Sequence, residues 1–146
     1  MRSPGLARIV GVLLLLSAGL AFVPAISPPA PLQAEYLQWP QWYVFAFGFL
    51  PMNLAHDILH GFFGLWGLIA SRNFAAAKRF CRFAFWVFAI LFILGCIPIT
   101  DTFFGAVPIY GWDTLVHGCL ALLFAFGGYG RAAIEPEAAF MPESFG

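Results

Sequence analysis

The sequence predicts an all-α integral membrane protein. It reads as a four-helix bundle built from two repeated helical hairpins in parallel topology, with an interfacial aromatic loop between helices 1 and 2. Three observations lead there. The 146 residues are 62% hydrophobic and 10% charged, where soluble domains carry roughly a quarter charged residues, so a water-facing shell cannot be assembled from them. The apolar residues gather into four runs whose lengths approach the width of a bilayer. All seven Lys and Arg residues (Arg2, Arg8, Arg72, Lys78, Arg79, Arg82 and Arg131) stand at alternate ends of those runs.

The first helix is predicted over residues 9–26, which carry no charge. A signal peptide competes for the same stretch, with Arg2 and Arg8 as its basic region and Val23-Pro24-Ala25 as a cleavage site. However, Arg8 and Pro24 bracket this run at the same separation as Arg82 and Pro98 bracket a later one. A removed leader has no reason to mirror a retained helix, so the segment is read as helix 1. Residues 27–50 follow as a loop. Its Ser-Pro-Pro-Ala-Pro opening removes backbone donors and ends the helix. Tyr36, Trp39, Trp42 and Tyr43 then surround Pro40, with Glu35 as the one charge. Such rings favour the headgroup level, so this loop is placed along the membrane surface.

Helix 2 is predicted over 51–70, helix 3 over 82–99 and helix 4 over 111–129, with a short basic connection between helices 2 and 3. Residues 1–131 thus form one transmembrane domain. Residues 132–146 read as a flexible acidic tail holding Glu135, Glu137 and Glu143. The positive-inside rule puts both termini and the middle connection in the cytoplasm, and makes the protein a multi-pass component of the plasma (inner) membrane. The lipid bilayer is its first partner. A formal net charge of zero and basic runs no longer than a pair exclude nucleic acid. A homo-oligomer or a larger membrane complex stays open. Cys81, Cys96 and Cys119 lie far apart with no ligand-like spacing and read as small hydrophobes.

One polar pattern interrupts the apolar runs, and it occurs twice. The same offset relates Gly48 to Gly105, Pro51 to Pro108, His56 to Asp113, His60 to His117 and Gly61 to Gly118. On helix 2, Asn53, His56, Asp57 and His60 fall within a stripe of about 100°. Asp113 and His117 share a similar stripe of helix 4. Lipid satisfies neither a carboxylate nor an imidazole, so both stripes must turn inward. At 1.5 Å per residue His60 lies about 13 Å below the outer boundary and His117 about 10 Å. The candidate site is therefore a polar membrane cluster of Asn53, His56, Asp57, His60, Asp113 and His117.

The motif Phe49-Leu-Pro51-Met-Asn53-Leu-Ala-His56-Asp57-Ile-Leu-His60-Gly61, followed by Gly64-Leu-Trp-Gly67, resembles the signature of the bacterial membrane proteins grouped as domain of unknown function 4383. Those proteins pair a Pro-x-Asn-x-x-His-x-x-x-His helix with a later Asp-x-x-x-His helix, as Pro51, Asn53, His56, His60, Asp113 and His117 do here. The resemblance covers roughly residues 8–130. It implies four spans and a bacterial inner membrane, and it implies no activity. Where the family commonly has an amide, this chain has Asp57.

Three functions compete for the cluster. The first is a structural or accessory membrane subunit, in which histidines donate to Asp57 and Asp113 and lock the helices together. Interhelical hydrogen bonds in membranes average only about 0.6 kcal/mol, so stability alone is a modest reason to bury these groups. The second is cofactor or metal binding. His60 and His117 at matching places suit axial haem ligation, and His56, His60 and His117 are the metal candidates. No cofactor or metal is assigned by the sequence itself. The third is proton or ion handling, for which acids and histidines inside a span are typical. No nucleophile elbow, phosphate loop or Cys-x-x-Cys is present, so no catalytic residue is assigned and an enzyme is not expected.

Overall fold

The computed structural model describes residues 2–29 and 43–134. The expectations for Glu35, Tyr36, Trp39 and Trp42, and for the tail from residue 135 on, lie outside these residues. The described residues are mostly helical and form four α-helices: α1 (Ser3–Leu20), α2 (Leu54–Ala70), α3 (Phe74–Gly95) and α4 (Trp112–Tyr129). Two short strands, β1 (Val44–Ala46) and β2 (Leu50–Met52), pair antiparallel ahead of α2. A 3₁₀ turn (Arg131–Ala133) follows α4. Among the described residues one helix, α1, is long and apolar enough to cross a membrane, and α2 is an apolar helix of 17 residues.

Several helix boundaries differ from those predicted, each for a local reason. α1 starts at Ser3, with Pro4 in its first turn where a missing N–H costs nothing. It stops at Leu20, short of residue 26, because Pro24 lacks the donor that would reach the Leu20 carbonyl. That carbonyl instead accepts from Val23 N at 3.1 Å and from the Ser27 hydroxyl at 2.7 Å. α3 begins at Phe74, eight residues before the predicted Arg82. Asn73 caps it, its side chain accepting from Ala76 N at 3.0 Å. Ala75, Ala76, Ala77 and Lys78 are strong helix formers, so the basic stretch expected to be a connection forms the first turns of α3. The far end stops at Gly95 instead of Ile99. Pro98 repeats what Pro24 does, and the Thr100 hydroxyl donates to the stranded Leu94 carbonyl at 2.8 Å. α2 begins at Leu54, because Pro51 and Met52 are drawn into β2 opposite Phe45 and Val44. Ala132 and Ala133, predicted as loose tail, are buried.

Glycines let the helices close into two antiparallel hairpins. Gly61 lies against Ala18, Gly64 against Gly11 and Leu15, and Gly67 against Ala7, so α2 runs down α1 in the opposite sense. A Cβ at Gly64 would stand 2.8 Å from the Gly11 carbonyl and 2.9 Å from Leu15 N, which leaves room only for hydrogen. In the second hairpin, Gly95 meets Thr114, Gly118 meets Phe92, and Gly128 meets Arg82. Phe63 joins the two hairpins, its ring 6.4 Å from Phe80 and 5.3 Å from Phe88. The ends of the bundle are tied as well. The Ser3 hydroxyl lies 2.7 Å from the Gly127 carbonyl and 2.8 Å from that of Ala132, and donates its one hydrogen to either.

The turns leading into α2 and α4 share a backbone pattern. Phe47 and Gly48 have φ of 54° and 78°, and Phe104 and Gly105 have φ of 57° and 87°. Gly48 N donates to Phe45 O and Phe49 N to Ala46 O, at 3.0 and 3.2 Å. Gly105 N donates to Thr102 O and Ala106 N to Phe103 O at the same two lengths. Pro51 and Pro108 are both fully buried after their turns. These two turns set where each following helix starts, and so where its polar side chains fall.

Candidate functional site

The site is assembled from the first turns of α2 and α4. Asn53 caps α2, its side-chain oxygen accepting from His56 N at 2.9 Å. Its amide nitrogen donates to Ala106 O, at 2.8 Å, in the turn before α4. Both ends of this amide are thus spent on backbone. Asn53 positions the cluster and holds the two turns together, but it offers the cluster no free atom. α4 starts after Gly111 (φ 64°), and the Thr114 hydroxyl donates to Ile109 O at 2.6 Å. This fixes the turn that carries Asp113.

Four of the predicted residues meet. His56, His60, Asp113 and His117 are all buried. The imidazole centroids of His56 and His60 are 4.1 Å apart, those of His56 and His117 5.6 Å, and those of His60 and His117 6.0 Å. Asp113 lies between two of them, with Oδ1 3.5 Å from His56 Nε2 and Oδ2 3.2 Å from His117 Nδ1. These are close approaches and not aligned hydrogen bonds: Asp113 Oδ2, both nitrogens of His56 and both of His117 have no hydrogen-bond partner among the described residues. A hydrogen bond weakens steeply off its axis, so these short distances alone do not make one.

Asp57 does not join them. It is buried in the first turn of α2, with Oδ1 unpartnered, and among the described residues it makes no ion pair with any histidine. The expected donation from histidine to Asp57 is therefore corrected: Asp113 is the acid that approaches the rings, and it does so without an aligned hydrogen bond. Asp57 points from the next position along the helix, a rotation of about 100° from His56.

Two residues of the site were not among the candidates. Ser17 on α1 places its hydroxyl 2.8 Å from His60 Nδ1. It is the single polar side chain within residues 9–26, and that isolation was the available signal. Phe88 on α3 floors the cluster, its ring 5.5 Å from His117 and 6.2 Å from His60. Nothing in the sequence separates Phe88 from the other 17 phenylalanines. All four helices therefore contribute, α2 and α4 with imidazoles and a carboxylate, α1 with a hydroxyl and α3 with an apolar wall.

One ring nitrogen from each of His56, His60 and His117 lies within 4.8 Å of the others. Chemically, such a set can hold a cation, pass a proton between rings, or trade hydrogen bonds across the bundle. A family model described as Domain of unknown function (DUF4383) matches the chain over residues 5–129. No curated protein and no solved structure matches it.

Proposed function

The chain belongs to the family of the domain of unknown function 4383, and on that premise we propose that it is a non-enzymatic, accessory, multi-pass membrane protein. Its four helices cross the bilayer as two repeated hairpins in parallel topology, around an internal binding centre of His56, His60, His117 and Asp113. One observation carries this reading: the bundle is inside out for water. Leu16 is 63% exposed, Leu65 57%, Trp86 59% and Leu122 73%, one on each helix, while His56 is 1% and His117 0% exposed. A soluble protein does not clothe itself in contiguous Leu, Ile, Phe and Trp, whereas lipid requires such a surface.

The two matching turns support the repeat, and the ties between Ser3, Gly127 and Ala132 support an arrangement with both ends of the bundle on one side. Arg82 lies at that end too, donating from Nε to Gly128 O at 2.9 Å. The basic residues thus collect at one end, which the positive-inside rule makes cytoplasmic. The unpartnered ring nitrogens favour a binding centre over a packing seam, since a seam that served only to hold helices would satisfy its own polar atoms.

Alkaline carbonate extraction and reporter fusions test the proposal. The chain should stay in the membrane pellet, and a phosphatase fused after Tyr129 should be inactive. Release into the supernatant, or a fusion after Tyr129 active only outside the cytoplasm, overturns it.

A further inference from the structure

We infer that this centre binds one divalent first-row transition-metal ion through His56, His60 and His117, with Asp113 beside it. The inference rests on reading the cluster as the protein's internal binding centre, and it names the ligand. The first argument is convergence. Three imidazoles from two helices bring one nitrogen each to within 4.8 Å of the others. Metal–imidazole bonds of about 2.1 Å put donors of one tetrahedral ion about 3.4 Å apart, a contraction within reach of small side-chain rotations.

The second argument is the state of the ring nitrogens. His60 Nδ1 meets the Ser17 hydroxyl at 2.8 Å, and His117 Nδ1 faces Asp113 Oδ2 at 3.2 Å. A metal-bound histidine presents its other nitrogen to an oxygen, which orients the ring and raises its basicity. Here Nε2 of both rings is left buried and without a partner, and both nitrogens of His56 are in the same condition. A set of neighbouring orphaned groups calls for one partner common to all. A neutral imidazole keeps one N–H and offers one lone pair, so each of the three rings can turn one basic nitrogen to the centre, and a cation is the partner that accepts from all three.

Charge balance is the third argument. A divalent ion among neutral imidazoles would leave two positive charges in a low-dielectric interior. Asp113 supplies one compensating charge at the site. Asp57 stands outside the ring cluster, on the adjoining position of α2 with Oδ1 unpartnered, so Asp113 is the carboxylate that halves the charge of the occupied centre.

The donor set limits the ion. Imidazole nitrogen with a carboxylate suits zinc, cobalt, nickel or ferrous iron, whereas magnesium and calcium take oxygen cages and softer ions take thiolates. A porphyrin fits poorly. His56 packs 4.1 Å from His60 and 5.6 Å from His117, so a macrocycle between the latter two would have to displace it.

The test uses the full chain in lipid nanodiscs, stripped with chelator and titrated with Co²⁺ alone. One equivalent should bind per chain, with the intense visible bands of a four- or five-coordinate nitrogen-ligated ion. His60→Gln and His117→Gln, which keep side-chain size, should each weaken binding at least tenfold. Ser17→Ala should weaken it on the order of tenfold, as loss of an orienting partner does. Cys119→Ala, an exposed thiol about 200° around α4 from His117, should leave it unchanged. Circular dichroism checks that the variants fold. If they do not, X-ray absorption of the Co²⁺-loaded wild type still decides, since imidazole scattering is required. Overturning results are Co²⁺ bound no more tightly by the wild type than by either glutamine variant, an oxygen-only coordination shell, or a haem absorption band in the protein as isolated. Retention in the carbonate pellet without Co²⁺ binding rejects the metal and leaves the membrane reading standing. Release from the pellet with Co²⁺ still bound does the reverse.

Discussion

The turns that open α2 and α4 share two hydrogen bonds and a left-handed Phe-Gly pair, to which the second adds Phe103 (φ 45°), yet they deliver different chemistry. At equivalent places one helix presents His56 and the other Asp113, while the next turn of both presents a histidine, His60 and His117. Had the halves stayed identical, the centre would hold four histidines or two acid–histidine pairs. Instead it is three bases and one carboxylate. Backbone likeness supplies the convergence, and a single departure from likeness supplies a donor set with internal charge compensation.

The comparison breaks most sharply at Asp113. Asp113→Asn keeps the side-chain shape but removes the charge that faces His56 and His117, and should lower Co²⁺ affinity by about 10- to 100-fold. Isothermal titration of the reconstituted protein reads this, and an unchanged affinity would mean that the asymmetry between the helices is incidental. Next come the two turns themselves. Gly48→Ala and Gly105→Ala each place a Cβ at positive φ and should cost about 1–2 kcal/mol. Denaturant titrations in micelles should give nearly equal losses, and costs differing severalfold would show that the turns are not equivalent.

A smaller effect belongs to the cap. Asn53→Ala loses the bond to His56 N and the tie to Ala106 O, and should cost about 1 kcal/mol. Metal affinity should stay within about twofold if Asn53 positions the turn and takes no part in binding, since loss of a true ligand costs far more. Last, Tyr110→Phe alters the residue that stands where Asn53 stands in the other half. It should shift stability by about 0.5 kcal/mol or less. A larger shift would give that turn a cap of its own.

Periodicity makes the helices and the inward stripe readable, because a helix with an apolar outer surface leaves few places for a histidine or an acid. What it could not supply was reach. A stripe of about 100° admits Asp57 beside His56, but the carboxylate of Asp113 is the one that meets the rings. Asn53 lies on the same stripe, yet a residue immediately before a helix spends its side chain on the backbone. The start of α3 was obscured for a different reason. Its first turns hold Lys78, Arg79 and Arg82, and a search for apolar runs discards them despite their helix-forming tendency. The strands β1 and β2 are three residues each, too short for alternation to register. Phe88 was unreadable because its role comes from its neighbours and not from its type.

The bond between Ser17 and His60 carries information as well as holding a ring. With Nε2 of His60 engaged by an ion, the ring's one proton must sit on Nδ1, and Ser17 Oγ must accept it. With Nε2 free, the proton can occupy either nitrogen, and the hydroxyl can donate as readily as accept. Filling the centre therefore fixes the direction of a hydroxyl on α1, a helix that contributes no ligand. In a bundle whose α1 and α2 backbones touch at Gly11 and Gly64, that reversal is a message delivered across the first hairpin without moving a helix.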